Sequence, residues 1–319
     1  MRRASVLGVA LLIAGASATA AYAVFQASRN VPSNSFSTAA DWVAPAVSTA
    51  VIAKTGGGTA GYIKQGGTYY VYANVTDGGN PPSGVSTVQA NVSTITTGQT
   101  AVTLTPGSYT VDGTSYNYRT ASLTANVLLT AGTYTYSITS TDAGGRSATQ
   151  SGFTVTVDNT APSASDIQTT SGGPIAGRAD AGDTIRFTFS ETMDPSSILA
   201  GWTGTSTNVV VRLNQVTLAD TVTIYNAANT SQLPLGTVSL GRTDYTTANR
   251  TFGASGTPST MVMSGSTITI TLGTQSGAAT TAALTGTMSW TPVATPTDPA
   301  GNAMSTTVRN EAGSADKEF

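Results

Sequence analysis

The sequence predicts an all-β protein built from two tandem β-sandwiches that follow an N-terminal signal peptide. After about residue 45, apolar and polar residues alternate with period two in many short runs, and Gly, Asp, Asn and Pro cluster between these runs. No long helical stripe occurs between residues 46 and 308. Hydrophobic residues make up 39% of the chain, which favours packed strands over disorder despite its 34 glycines.

Residues 1–23 form the first element, a predicted signal peptide. Arg2 and Arg3 precede an apolar run, and small residues lead to Ala-Tyr-Ala at residues 21–23, which matches an A-x-A cleavage site. The alternative is an uncleaved membrane anchor, because the apolar stretch approaches the roughly 20 residues that span a bilayer. We expect a secreted protein, with residues 24–45 as an N-terminal segment and membrane contact only through an uncleaved signal peptide.

Residues 46–158 carry the first predicted sandwich. The stretch "TYYVYANVTD" (Thr68–Asp77) places Tyr69, Val71 and Val75 on one face, and "GFTVTVDNT" alternates in the same way. Such runs mark half-buried strands, and the polar clusters between them mark turns. Roughly seven strands within about 110 residues are typical of an immunoglobulin-like sandwich.

Residues 159–308 carry the second predicted immunoglobulin-like sandwich. Ile185, Phe187 and Phe189 lie on one face of "DTIRFTFS", and further alternating runs follow. The region 208–256 is longer than a minimal sandwich requires, so we expect extra hairpins on one sheet.

The two halves share a short internal repeat. "TDAGGRSAT" from Thr141 and "TDPAGNAMST" from Thr297 have the same D-x-x-G spacing between two late strands, which supports duplication of one fold. The charged segment after the second sandwich, residues 309–319, is predicted to be a flexible tail.

Composition limits the chemistry of this protein. Cysteine and histidine are absent, which excludes a disulfide framework, a thiol nucleophile, a Ser-His-Asp triad and the commonest transition-metal ligand. The chain has 14 Lys and Arg against 16 Asp and Glu, with no basic cluster, so we expect no nucleic-acid partner. A non-catalytic role that requires no cofactor is therefore predicted, with calcium as the one candidate ion.

Several motifs resemble those of bacterial surface proteins. "LTAGTYTYSITSTDAGG" and "GFTVTVDNTAPSA" resemble the last strands and linker of bacterial Ig-like repeats, and "GDTIRFTFSETMDPSSI" resembles the opening of Ig-like domains in S-layer and surface-anchored proteins. The leader, ending "AAYAVFQASRNVPSNSFSTA", is similar to precursors of secreted biofilm-fibre proteins of Gram-positive bacteria. This resemblance implies an extracellular, cell-surface protein that acts by adhesion or assembly in a matrix.

Strand direction predicts where the scarce acidic residues meet. Strands of a sandwich alternate in direction, so the linker between the sandwiches should reach the end of the second sandwich that carries its early and penultimate loops. We therefore expect an interdomain oxygen cluster, a candidate calcium site, formed by Asp158, Asn159, Glu191, Asp194, Asp298 and Asn302.

Three interpretations of this cluster stay open. In the first, Asp194 caps a short helical turn that starts at Pro195, and Asp142 and Asp298 form Asx-type turns. In the second, calcium takes six to eight oxygens from these residues and fixes the linker. In the third, Glu191 and Asp194 act as a glycosidase pair.

Tyrosines are concentrated in the first sandwich. Tyr70, Tyr72 and Tyr118 are predicted to form an exposed aromatic strip that stacks on sugar or peptide, with lateral packing across the sheet as the alternative. Tyr134, two residues after Gly132, fits a tyrosine corner.

The expected partners are surface polysaccharide, other surface proteins or further copies of the chain. Two alternatives to adhesion or assembly remain. One is a calcium-stiffened structural spacer, and the other is a carbohydrate-binding accessory to a wall-polysaccharide hydrolase.

Overall fold

A computed structural model describes residues 41–319, and strands dominate this range. The all-β prediction is confirmed: the one helix among these residues is the four-residue α1 (Pro195–Ile198). Within the same range, no helix has both the length and the apolar character needed to cross a bilayer. The predicted signal peptide, residues 1–23, and residues 24–40 of the N-terminal segment lie outside the described residues.

The first sheet has nine strands in the order β1-β3-β6-β5-β4-β8-β9-β2, with β7 paired to β3. All pairs are antiparallel except β2 with β9, which is parallel. The strands are β1 (Ala46–Lys54), β2 (Tyr62–Ile63), β3 (Thr68–Thr76), β4 (Val85–Asn91), β5 (Val102–Val111), β6 (Thr114–Thr120), β7 (Leu123–Thr124), β8 (Gly132–Asp142) and β9 (Ser147–Val157).

The first sheet encloses its own hydrophobic core. Tyr69, Val71 and Val75 of β3 are buried on one face, as their alternation predicts. They pack with residues of the other half of the sheet, such as Ile138 of β8 and Val155 of β9. Because β5 pairs with β6 on one side and β4 on the other, the sheet folds over this core in a sandwich-like manner.

The second sheet has ten strands in the order β10-β11-β17-β16-β12-β13-β14-β18-β19, with β15 paired to β12. The strands are β10 (Ala164–Thr170), β11 (Thr184–Phe189), β12 (Thr207–Asn214), β13 (Thr221–Asn226), β14 (Thr237–Ser239), β15 (Arg250–Phe252), β16 (Ser259–Ser264), β17 (Thr267–Thr271), β18 (Ser289–Thr291) and β19 (Arg309–Asn310). Strands β13 and β14 belong to the region 208–256, where the sequence predicts extra hairpins. They lie side by side in the sheet and connect β12 to β18.

The second core is centred on Trp290. Its ring lies 5.0 Å from that of Phe187 and 5.1 Å from that of Phe189, both in edge-on contact, and Ile185 is buried on the same face of β11. Edge-on aromatic pairs add to the free energy gained by burial, by about 0.5–1.5 kcal/mol each.

The segment 309–319 is not the flexible tail that its charged sequence predicts. Arg309 and Asn310 pair with β18, and the backbone N–H of Glu311 donates to the carbonyl of Met288 over 3.0 Å. Phe319 is buried against Tyr245, with ring centroids 6.2 Å apart. The prediction was wrong because strand pairing and the burial of one aromatic side chain gain more free energy than the charged residues between them gain from exposure to water.

Candidate cation site between the two sheets

The linker between the two sheets brings three carboxylates together. Asp158 follows β9, Glu191 follows β11, and Asp298 lies in the loop between β18 and β19. Each offers an oxygen within 4.8 Å of the other two. Asp158 and Asp298 are 140 positions apart in the chain, and both meet Glu191 here, as the alternation of strand direction predicts.

The Asp298 loop has a defined hydrogen-bonding pattern. Asp298 Oδ1 accepts the backbone N–H of Asn302 over 2.8 Å, and Oδ2 accepts from Asn302 Nδ2 over 2.7 Å. The same Nδ2 donates to the Asp158 carbonyl over 2.9 Å, across the linker. Gly301 has φ of 90°, a left-handed conformation that glycine adopts readily. Asn302 therefore positions the two aspartates.

Glu191 has the most perturbed environment of the three acids. Its Oε1 is buried without a hydrogen-bond partner. Burial, together with the negative charges of Asp158 and Asp298, raises the pKa of Glu191 from its ordinary value of 4.5 to about 7. A proton or a cation is needed to relieve this repulsion at neutral pH.

No basic side chain in residues 41–319 neutralises the three acids. The ion pairs in this range join Lys54 to Asp194, Arg178 to Asp180, and Arg242 to Asp244. A pocket of about 460 Å³ opens beside Glu191 and Asp158, lined also by Tyr62, Met193, Met263 and Pro299. Three uncompensated carboxylates with a route to solvent suit a hard divalent cation.

Two residues assigned to the cluster by sequence have other partners. Asp194 caps α1: its Oδ1 accepts from Ser196 N–H and Oγ over 3.1 and 2.7 Å, and Pro195 is the first helical residue, as predicted. Its Oδ2 pairs with Lys54 Nζ at 2.7 Å. Both carboxylate oxygens of Asp194 are thus engaged, one by the helix N-terminus and the other by a lysine. Asp194 therefore has no free oxygen for the part that the glycosidase hypothesis gives it beside Glu191.

Asn159 faces the first sheet. Its Oδ1 accepts the Gln65 N–H and its Nδ2 donates to the Leu129 carbonyl, each over 2.8 Å. Successive side chains in an extended segment point to opposite sides, so Asn159 turns away when Asp158 turns toward the acids.

Two lysines complete the junction, and sequence reasoning did not assign them to it. Lys54 Nζ donates to the Pro299 carbonyl over 2.7 Å, and Lys64 Nζ donates to the Gly301 carbonyl over 2.6 Å. Both lysines belong to the first sheet region and both reach the Asp298 loop of the second. The one available signal was their position at the ends of strands in a chain with few lysines.

The exposed tyrosine strip does not form. Tyr72 is only 6% exposed and packs against Tyr109 and Tyr116, with ring centroids 6.3 and 5.7 Å away. Tyr118 packs against the main core of the first sheet, on the other face. The prediction was wrong because the second face of β3 is covered by residues of β5 and β6.

Tyr70 is half-buried at the side of this aromatic cluster. The Arg119 guanidinium lies 4.4 Å from the Tyr70 ring centroid and equally close to that of Tyr109, which is cation–π geometry. Tyr70, Tyr72 and Tyr118 therefore have packing partners within the first sheet.

Comparison of the chain with protein-family models, with curated proteins and with solved structures finds no match.

Proposed function

We propose that this protein is a secreted, non-catalytic component of the cell surface or extracellular matrix that acts by adhesion or assembly through two tandem immunoglobulin-like modules. A calcium ion held by Asp158, Glu191 and Asp298 stiffens the junction between these modules. The observation that carries the proposal is the junction itself, where the acids and both lysines are used to join one sheet to the other.

Strand pairing in the first sheet supports the immunoglobulin-like assignment. One half has the order β1-β3-β6-β5 and the other contains β4-β8-β9. This order matches the ABED and CFG sheets of a constant-type immunoglobulin domain. The Tyr134 hydroxyl donates to the Thr130 carbonyl over 3.0 Å near the start of β8, which is the position of a tyrosine corner.

The ligand set supports calcium over other metals. Carboxylate oxygens are hard ligands, and the chain has neither cysteine nor histidine to favour zinc or copper. Calcium accepts irregular geometry at 2.3–2.6 Å, so backbone carbonyls and water can complete a site that begins with three carboxylates.

A fixed junction suits a protein that transmits or resists force. Lys54 and Lys64 donate hydrogen bonds from the first sheet region to the Asp298 loop, and Asn302 donates one across the linker. An ion bound by one linker acid and two acids of the second sheet would restrict the same hinge. Such restriction would maintain the spacing of binding surfaces in an assembled matrix.

Adjacent apolar side chains at a loop tip supply a contact surface for assembly. Val127 and Leu128, in the loop between β7 and β8, are 71% and 87% exposed. Exposed apolar groups of this kind contribute free energy when a partner covers them, at about 25 cal/mol per Å².

The test combines retention on surface components with self-association. The purified protein is applied to wall polysaccharide, to a glycan array and to extracted surface proteins, and its sedimentation is followed over rising concentration in calcium and in chelator. We expect retention or self-association that chelator weakens and that the double variant Val127→Ser, Leu128→Ser reduces. The exposed Asp112→Asn serves as the matched control. A monomer that is retained on none of these components, or that hydrolyses the polysaccharide, contradicts the proposal.

A further inference from the structure

A second acidic cluster lies at the other end of the first sheet. Asp41, Asp77 and Asp142 each offer a carboxylate oxygen within 4.8 Å of the other two. Asp142 is the last residue of β8, and Asp158 follows β9. Because β9 has 11 residues at about 3.3 Å each, the two clusters are separated by roughly 35 Å.

The segment that leads into each sheet has the same sequence pattern and the same turn. Residues 41–45 read Asp-Trp-Val-Ala-Pro and residues 158–162 read Asp-Asn-Thr-Ala-Pro, so both have the form D-x-x-A-P. Asp41 Oδ1 accepts the Val43 N–H over 3.0 Å, and Asp158 Oδ1 accepts the Thr160 N–H over 2.9 Å. The first acid of each cluster is therefore held by an equivalent turn.

The other two acids also occupy equivalent places. Asp77 follows β3, and Glu191 follows β11. These two strands are equivalent, because each pairs with the first long strand of its sheet. In the late loop, Asp142 Oδ1 accepts the Arg146 N–H over 2.7 Å, as Asp298 accepts that of Asn302. The cluster at Asp41 is thus a structural repeat of the one at the junction.

The Asp41 cluster contains buried oxygens that nothing in the described chain satisfies. Asp142 is only 2% exposed, and its Oδ2 is buried without a hydrogen-bond partner. Oδ1 is taken by the Arg146 N–H, so Oδ2 is the oxygen that remains for the cluster. Asp77 Oδ1 is likewise buried and unpartnered. Burying a carboxylate oxygen in this way is costly unless a ligand compensates it.

The groups around the cluster hold the acids without neutralising them. Asp41 Oδ2 accepts from Ser83 N–H and Oγ over 2.9 and 3.2 Å, and Asp77 Oδ2 accepts the Gly84 N–H over 2.5 Å. The Arg146 guanidinium stacks 4.2 Å from the Trp42 ring centroid and forms no ion pair with these acids among residues 41–319.

We propose that Asp41, Asp77 and Asp142 bind a second divalent cation, calcium, which fixes the D-x-x-A-P segment to the end of the first sheet. Its ligands are separate from those of the junction site, so the two sites stand or fall independently. Each module then carries one cation at the end where its preceding segment enters.

Calcium titration calorimetry on the purified protein tests this site. We expect two ions per chain, falling to one in Asp142→Asn and to one in Asp298→Asn, since the amide oxygen can still accept the backbone N–H of Arg146 or Asn302 while one charge is removed. Unchanged stoichiometry in Asp142→Asn overturns the second site. Unchanged stoichiometry in Asp298→Asn with loss in Asp142→Asn overturns the junction site alone.

Terbium gives a site-resolved reading whose one variant changes an exposed side chain, since Trp42 is 70% exposed. Trp42 adjoins Asp41, so terbium in this site should emit when tryptophan is excited, and Trp42→Phe should remove the part of that emission that Asp142→Asn also removes, while two ions still bind. If Asp142→Asn fails to fold, the distance between gadolinium ions bound to the wild-type chain is measured by pulsed electron spin resonance. A distance of roughly 35 Å supports two sites at the ends of β9. Absence of both the Trp42-sensitised emission and the gadolinium pair overturns the proposal.

Discussion

Replacing Glu191 by glutamine tests the electrostatics of the junction most sharply. Glu191 has a buried, unpartnered Oε1 and faces Asp158 and Asp298. Glutamine keeps the size and one carbonyl oxygen but has no charge. In the absence of calcium, the variant should therefore be more stable than the wild type wherever Glu191 is ionised.

The magnitude follows from the pKa of this carboxyl. Burial, with the charges of Asp158 and Asp298, raises the pKa of Glu191 from its ordinary value of 4.5 to about 7. One pKa unit corresponds to about 1.4 kcal/mol. Because Glu191 is only partly buried, solvent screening reduces the total, and we expect a difference of roughly 1–2 kcal/mol.

The sign follows from proton linkage. A raised pKa means that the folded protein holds the proton more tightly than the unfolded chain, so this contribution to stability is complete below pH 4.5 and is lost as pH rises through about 7. Glu191→Gln should match the wild type near pH 4.5 and exceed it above pH 7. Calcium should reverse the order, because a site filled at 100 times its Kd stabilises the wild type by about 2.7 kcal/mol.

Urea unfolding in chelator and in calcium, at both pH values, measures these differences. The exposed Asp112→Asn is the matched control and should change neither the pH dependence nor the calcium response. The reasoning is refuted if Glu191→Gln is destabilised equally at both pH values in chelator, or if calcium stabilises it as much as the wild type.

Three further predictions concern the junction and the C-terminal segment. Lys54→Met leaves the buried Asp194 carboxylate unpaired and should lower the free energy of unfolding, measured in urea, by about 2–4 kcal/mol. Lys64→Met removes one hydrogen bond and should lower the same free energy by about 1 kcal/mol. Gly301→Ala forces a side chain into φ of 90° and should cost about 1–2 kcal/mol and weaken calcium binding measured by calorimetry. Burial raises the pKa of Glu318 to about 8, so this carboxyl contributes stability below pH 4.5 that is lost as pH rises through 8. Glu318→Gln should therefore not lose stability at alkaline pH, as measured by thermal unfolding. A variant that still loses stability over this pH range contradicts the prediction.

Strand alternation predicted the parts of this protein that depend on backbone direction. The buried faces of β3 and β11 follow from period-two patterns, and the meeting of Asp158, Glu191 and Asp298 follows from the order in which strands reverse. Both inferences need only the sequence of turns, which Gly, Asp and Asn mark clearly.

Side-chain orientation in irregular segments could not be predicted in the same way. Asp194 turns toward the terminus of α1 and Asn159 toward the first sheet, because local hydrogen bonds outcompete the cluster. Tyr72 is buried since β5 and β6 cover the second face of β3, a packing choice that the pattern of one strand does not contain.

The Asp41 cluster was missed although the sequence carries its signal. D-x-x-A-P occurs before both sheets, and D-x-x-G occurs in both late loops. Only the second of these repeats entered the sequence-based prediction. Taken together, the two repeats predict two of the three acidic positions in each half of the chain.

The central claim is that a cation bound by Asp158, Glu191 and Asp298 fixes the orientation of the two sheets. The chain has no cysteine, so spin labels at Thr87→Cys in β4 and Thr217→Cys after β12 report one distance between the sheets. By pulsed electron spin resonance, we predict a narrow distance distribution in calcium that broadens in chelator, and a distribution in Asp298→Asn that stays broad in both. An identical narrow distribution with and without calcium would contradict the claim.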